Sequence, residues 1–208
     1  MATIRIVLGI FCLAIISSYR LPASNILGLQ SPLAELSAKG SLPKKDSEKE
    51  RRALLQSLYY QEVGVREQHN RNDGYRVESY LHYTGNKKGD PWCAAFVSWC
   101  LGKAGIHNPR TAWSPALLPQ KRIIWKNGWQ KEELQPQAGD VFGIWYASKK
   151  RIAHCGFIDV WGESIVMTVE GNTNEAGSRE GDGVYRKRRL KRTLYAVADW
   201  VTARREDR

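Results

Sequence analysis

The sequence predicts an α+β fold, with N-terminal helices followed by an antiparallel sheet of about five strands. Two observations carry this. Apolar residues recur at helical spacing through the first half, at Ala53, Leu54 and Leu58, again at Val77, Tyr80 and Leu81, and through 93–101. After Pro136 the pattern changes to short β-branched and aromatic runs separated by Gly, Asp and Ser turns.

The first element is a leader. Ile6 to Ile16 is an apolar run of eleven residues behind Arg5, too short to span a bilayer comfortably, with small residues near Ala23. Residues 1–23 therefore read as a signal peptide and 24–46 as a linker. Ser47-Glu48-Lys49-Glu50 is a capping box that opens a helix, and Gly64 stops it. Arg71-Asn72-Asp73-Gly74 is a turn, 75–83 a short helix, and 84–89 a loop. In the next helix Asp90 reads as N-cap and Pro91 as N1, which places Cys93 at N3 near the positive end of the helix dipole. That field favours a thiolate. Gly102 or Gly105 ends the helix.

Residues 106–138 carry four prolines and Trp113, Trp125 and Trp129, and read as an irregular cleft wall. Strands are expected at 141–146, 153–161, 165–170, 184–188 and about 194–201, with a polar tip at 148–151. If 153–161 and 165–170 form a hairpin about Gly162-Glu163-Ser164, Glu170 or Asn172 comes to lie beside His154. A thiolate, an imidazole to move its proton and a group to fix the imidazole are what nucleophilic thiol catalysis requires. Cys93, His154, Glu170 and Asn172 supply them, while His69, His82 and His107 lie on no expected strand edge.

The chain has 208 residues, 42% of them hydrophobic, and a net charge of +11. That supports one domain with a true core and anionic partners. Arg186, Lys187, Arg188, Arg189, Lys191 and Arg192 form a basic run that could meet an anionic wall or membrane surface, or serve as a charged edge strand. An export signal argues against nucleic acid. No Cys-x-x-Cys pair occurs and the four histidines are scattered, so neither a metal site nor a cofactor is expected. Glu175, Glu180 and Asp182 lack the spacing of a calcium loop and read as a turn. Cys155 should face away from His154 into the core, and Cys100 should lie one level beneath Cys93. A disulfide between those two is left open.

The segments Trp92-Cys93-Ala94-Ala95-Phe96-Val97-Ser98-Trp99-Cys100, Ala138-Gly139-Asp140-Val141, His154-Cys155-Gly156-Phe157-Ile158 and Glu170-Gly171-Asn172-Thr173 occur in that order. Together they resemble the CHAP family, cysteine- and histidine-dependent amidohydrolases/peptidases of the papain-like, NlpC-type superfamily. The resemblance runs from roughly 65 to 201. It implies a papain-like cysteine hydrolase with the nucleophile helix packed on the sheet, in a catalytic domain over 47–208. It also implies Cys93 as nucleophile, His154 as base, Glu170 as orienting group and Asn172 as a fourth polar member. Trp92, Trp113 and Asp90 are the expected substrate-binding residues. No glutamine stands just upstream of Cys93, so the Cys93 N–H with Asp90 or Trp92 would replace an oxyanion-binding side chain.

The function implied is an exported bacterial hydrolase, periplasmic, in the envelope or secreted, that cuts amide bonds in peptidoglycan through an acyl-enzyme. The bond would be N-acetylmuramoyl-L-alanine or one in the stem or cross-bridge. The alternatives are a catalytically weak wall-binding module and a protein peptidase or transglutaminase-like enzyme.

Overall fold

Helix α1 spans Lys44–Gln61 and so begins inside the stretch expected to be linker. The structure is a computed structural model that describes residues 44–131, 134–175 and 181–203. The expected leader, and the linker before residue 44, lie outside the described residues, all of which belong to one unit, 41–208. The core face of α1 is Leu55 and Tyr59, continued by buried Glu62 just past its end; Ala53 and Leu54, expected there, are exposed. Tyr59 stacks on Phe157 of the sheet at 5.0 Å between ring centroids. Arg52 ties α1 to the turn before the sheet, 2.9 Å from Asp140 and 3.2 Å from Asp199. The Ala138-Gly139-Asp140 segment is therefore a structural corner. Gly139 turns at φ +91° against Leu55, and burial raises the Asp140 carboxyl to about 7 although Arg52 opposes the shift.

Helix α2 is Tyr75–Tyr83, over the residues the periodicity marked. Helix α3 is Cys93–Lys103. It starts later than expected. Trp92 is the N-cap residue, so Cys93 is the first helical position and not the third. Asp90 does not cap the helix. Its carboxylate accepts from the Lys87 N–H and the Asn86 amide, closing the 84–89 loop on itself. The C-terminus is a Schellman motif: Ile106 N–H reaches Leu101 O, Gly105 N–H reaches Gly102 O, and Gly105 sits at φ +70°.

The sheet has seven antiparallel strands rather than about five. They are β1 (Ile123–Lys126), β2 (Trp129–Gln130), β3 (Val141–Tyr146), β4 (Arg151–Trp161), β5 (Ile165–Thr173), β6 (Gly183–Leu190) and β7 (Ala196–Ala198), in the order β2-β1-β7-β3-β4-β5-β6. The two additional strands come from the connection read as irregular. Ile123-Ile124-Trp125 is too short a run to show alternation, but Asn127-Gly128 after it is a hairpin signal, and Lys126 pairs with Trp129 across it. Side chains alternate between the faces. Val141, Cys155, Phe157, Val169, Ala196 and Ala198 pack with the helices, and Phe142, Ile158, Val166 and Val197 with Ile124, Trp125 and Leu194 on the other side.

Two glycines let the helices close onto the catalytic end of the sheet. A methyl group on Gly171 would lie 2.7 Å from the Trp92 ring and 2.9 Å from Phe96 Cβ, so β5 runs directly under the first turn of α3. On Gly156 it would lie 2.9 Å from Glu170 Cγ and from the Phe142 ring. Gly171→Ala is expected to lower the unfolding free energy by about 1–3 kcal/mol through overpacking. Urea denaturation measures it, and a variant as stable as the parent would refute this packing.

Candidate active site

The β4–β5 hairpin pairs Phe157 with Val169 and Ile158 with Thr168. Continuing that register sets Gly156 opposite Glu170, and the missing Gly156 side chain leaves room for the carboxylate to lean toward His154. His154 Nε2 lies 2.8 Å from Glu170 Oε2. With Nε2 engaged there, Nδ1 is the nitrogen left for the thiol. A β-bulge in β4 does the aiming: Ile144 pairs with His154 and Trp145 with Ile152, so Ala153 is the extra residue. The bulge places Ile152 and Cys155 on the helix side and sets His154 beside Phe142.

Cys93, His154 and Glu170 are all buried. Cys93 is held by three neighbours. Hydrogen bonding with Cys155 is the largest influence that depresses its thiol well below the ordinary 9.0; burial opposes this, and His154 and then Ser114 add to the lowering. Ser114 Oγ stands 3.5 Å from the sulfur. Burial would lower His154, but its hydrogen bonds to Cys93 and Glu170 outweigh burial and raise it from 6.5 to about 9. These shifts favour a thiolate beside an imidazolium. The raised imidazole of His154 contributes stability that is fully present below about 6.5 and is lost as the pH rises through about 9, whereas the depressed Cys93 contributes stability that is present above its ordinary 9.0 and is lost as the pH falls through its lowered value. Burial would raise Glu170, yet Arg189 and His154 hold it far below the carboxylate range.

Arg189 is a site residue that the sequence did not reveal. Its guanidinium grips Glu170 with Nε on Oε1 and Nη2 on Oε2, the latter at 2.5 Å, while Thr168 donates to Oε1 at 2.5 Å. Arg189 pairs with Val166, not with Glu170, and reaches along the face to it. No pairing argument would have found it. Ser114 was also missed; its one signal is a Ser-Pro start to the 3₁₀ turn Ser114–Leu117.

Several expected site residues have other roles. Asn172 does not contact His154. It sits at φ +53° in a β5 bulge, accepts the Trp92 N–H on Oδ1 at 3.1 Å, and donates to Asn72 and Gly181. It caps the nucleophile helix from outside. Trp92 is fully buried and donates Nε1–H to Glu67 at 2.8 Å, so it lines no cleft, and its N–H is not free for an oxyanion. The Cys93 N–H, as the first of the helix, has no intrahelical acceptor. Trp113 is half exposed beside Cys93, and Asp90 stands at the same cleft with its carboxylate already engaged. Cys155, not Cys100, lies beneath Cys93. Cys100 neighbours Glu62 and Arg76 under α2, and burial pushes its thiol up. All three described cysteines are free. Among the described residues no group of three or more His, Cys, Asp or Glu side chains could hold a metal. Asp182 accepts from Tyr185, while Glu180 lies outside the described residues.

A thiol at a helix start, an imidazole on an antiparallel strand and a carboxylate behind it define a papain-like cysteine hydrolase. The CHAP-domain family model matches residues 84–172, which is consistent with a CHAP-family protein of the amidohydrolase and peptidase class. The match holds Cys93, His154 and Glu170 and ends at Asn172; Arg189 lies beyond it. No curated protein and no solved structure matches the chain.

Two outcomes follow. Iodoacetamide at pH 7 should label Cys93 well before Cys100 and Cys155, whose thiols are raised by burial, as read by peptide mass spectrometry; equal labelling would contradict a thiolate at Cys93. In Glu170→Gln the imidazolium loses the charge that supports it, so the Cys93 alkylation profile should move to higher pH. An unmoved profile would detach Glu170 from His154.

Proposed function

We propose that the protein is an exported cysteine hydrolase that cleaves amide bonds in bacterial peptidoglycan. The observation that carries the reading is that Cys93 and His154 line one cleft, with Glu170 2.8 Å behind the imidazole and the thiol depressed beside it. The Cys93 thiolate adds to the amide carbonyl, and the orphan Cys93 N–H is placed to donate to the developing oxyanion. The His154 imidazolium gives its proton to the leaving nitrogen, the C–N bond breaks, and a thioester remains. Neutral His154 then takes a proton from water, which attacks the thioester. The carboxylate product departs and the ion pair is restored. Glu170 holds one tautomer and orientation throughout.

The wall substrate is supported by the membership of the CHAP domain in a class that is typically cell-wall related, and by the excess of cations. Export is supported by the apolar leader at 1–23, and among the described residues no helix is long and apolar enough to cross a membrane. A wall-binding module with a disused site would not need a depressed thiol beside a raised imidazole. A protein peptidase would use the same groups and is separated by substrate.

Purified peptidoglycan incubated with the protein should yield new amine and carboxyl termini, identified by mass spectrometry of the muropeptides. Casein should be spared. Cys93→Ala, with its fold checked by circular dichroism, should lose at least about 10³-fold in rate. An equally active Cys93→Ala, or cleavage of casein alone, would overturn the reading.

A further inference from the structure

Cys93 divides the cleft into two parts of different chemistry. Pro91, Lys149 and Ala153 border both. On one side stand Glu67, Asp182 and Arg189, and each is already engaged within the fold: Glu67 by Trp92 and the Asn72 N–H, Asp182 by Tyr185, Arg189 by Glu170. On the other side stand Arg110 and Arg151 around Trp113, with Lys149 on the border. Among the described residues none of these three cations has a carboxylate partner, and the carboxylate that shares their space, Asp90, is taken up by Asn86 and Lys87.

The guanidiniums there are held in place by neutral groups. Arg151 lies over the Trp113 ring, 4.1 Å from its centroid, and donates to the Ile152 carbonyl at 2.9 Å. Arg110 lies over Tyr83 at 4.6 Å and donates to the Tyr83 carbonyl at 3.3 Å. Its backbone is left-handed at φ +47°, a conformation unfavourable for a side chain as large as arginine. Asn108 Oδ1, which accepts the Arg110 N–H at 2.9 Å, secures it. Strain of this kind persists where the surroundings fix it, as in ligand clamps. Aromatic and carbonyl partners orient a guanidinium without neutralising it.

From this we infer that the Trp113 side of the cleft is a subsite for a carboxylate-bearing segment of the substrate, read by Arg110, Arg151 and Lys149, with Trp113 as its apolar wall. The inference rests on the hydrolase reading for the meaning of "substrate" and narrows it: the peptide flanking the scissile amide carries a free carboxylate, not its amide. Peptide stems with a free glutamyl α-carboxyl fit; amidated stems do not.

The test uses the Cys93→Ala protein and two peptides, N-acetyl-L-Ala-γ-D-Glu-L-Lys-D-Ala and the same peptide with the glutamyl α-carboxyl amidated. Titration calorimetry should show the acid form binding roughly tenfold tighter. Arg110→Gln with Arg151→Gln should erase that preference and leave the amidated form unchanged. Lys149→Gln, an exposed single change, should reduce it in part. Arg188→Gln, outside the cleft, should leave it intact. Equal affinities, no measurable binding of the acid form, a preference that survives the double variant, or equal erosion by Arg188→Gln would each overturn the subsite. Turnover of purified peptidoglycan by the unmutated protein is measured in parallel. Turnover without a carboxylate preference overturns the subsite and leaves the hydrolase standing; a preference that maps to Arg110 and Arg151 without turnover does the reverse.

Discussion

The Glu170 carboxylate is the constraint around which the site is built. It is fully buried, and a buried carboxylate is tolerated only when its lone pairs are answered. His154, Arg189 and Thr168 answer them. Taking one partner from such a pair costs about 3–5 kcal/mol, so the groups that orient the imidazole also hold the sheet. The local sequence follows from this. Gly156 must lack a side chain because Glu170 Cγ occupies the space, and Gly171 must lack one because Trp92 and Phe96 press on β5 there. One residue further on, Asn172 takes the left-handed conformation and caps the helix that carries the thiol. Three successive residues of β5 thus fix the carboxylate, the helix approach and the helix cap.

The thiol is tuned by its neighbours as well as by its place in the fold. Cys93 is the first residue of α3, where the helix field favours a thiolate. Hydrogen bonding with a second thiol, Cys155, which burial raises, acts in the same direction on Cys93. The bulge at Ala153 resets the register of β4 just before this pair, and His154 and Cys155 both act on Cys93 from neighbouring positions.

What the sequence showed, and what it did not, follows from the range of the forces involved. The α+β order, the helix over 75–83 and strand β3 were legible because periodicity and turn chemistry are local. The placement of His154 beside Glu170 was legible because a hairpin register is nearly local too. The start of α3 was misread because Asp90-Pro91 is a sound cap signal that lost to a loop bond with Lys87 and a cap from Asn172, eighty residues away. Strands β1 and β2 were passed over although Asn127-Gly128 marks their turn; prolines and tryptophans around them masked a run of three apolar residues. Arg189, Ser114 and the Cys155 contact arise from tertiary packing, and no spacing rule encodes them.

The distribution of charge changes the meaning of a net +11. In the basic run, Arg186 is bound to Asp159 and Arg189 to Glu170, whereas Lys187 meets Thr173 and the Asn174 carbonyl and Lys191 lies over Trp161, neutral groups that leave their charge in place. Arg186 and Arg189 are spent on the fold, and a cation already paired adds little to the attraction of a distant anion. Arg110, Lys149 and Arg151 are not so spent. An excess of one sign of charge in a cleft raises the local concentration of the opposite one. Two cations of the run are thus answered by carboxylates within the fold, while Arg110, Lys149 and Arg151 keep their charge beside Cys93, where the proposed subsite uses it.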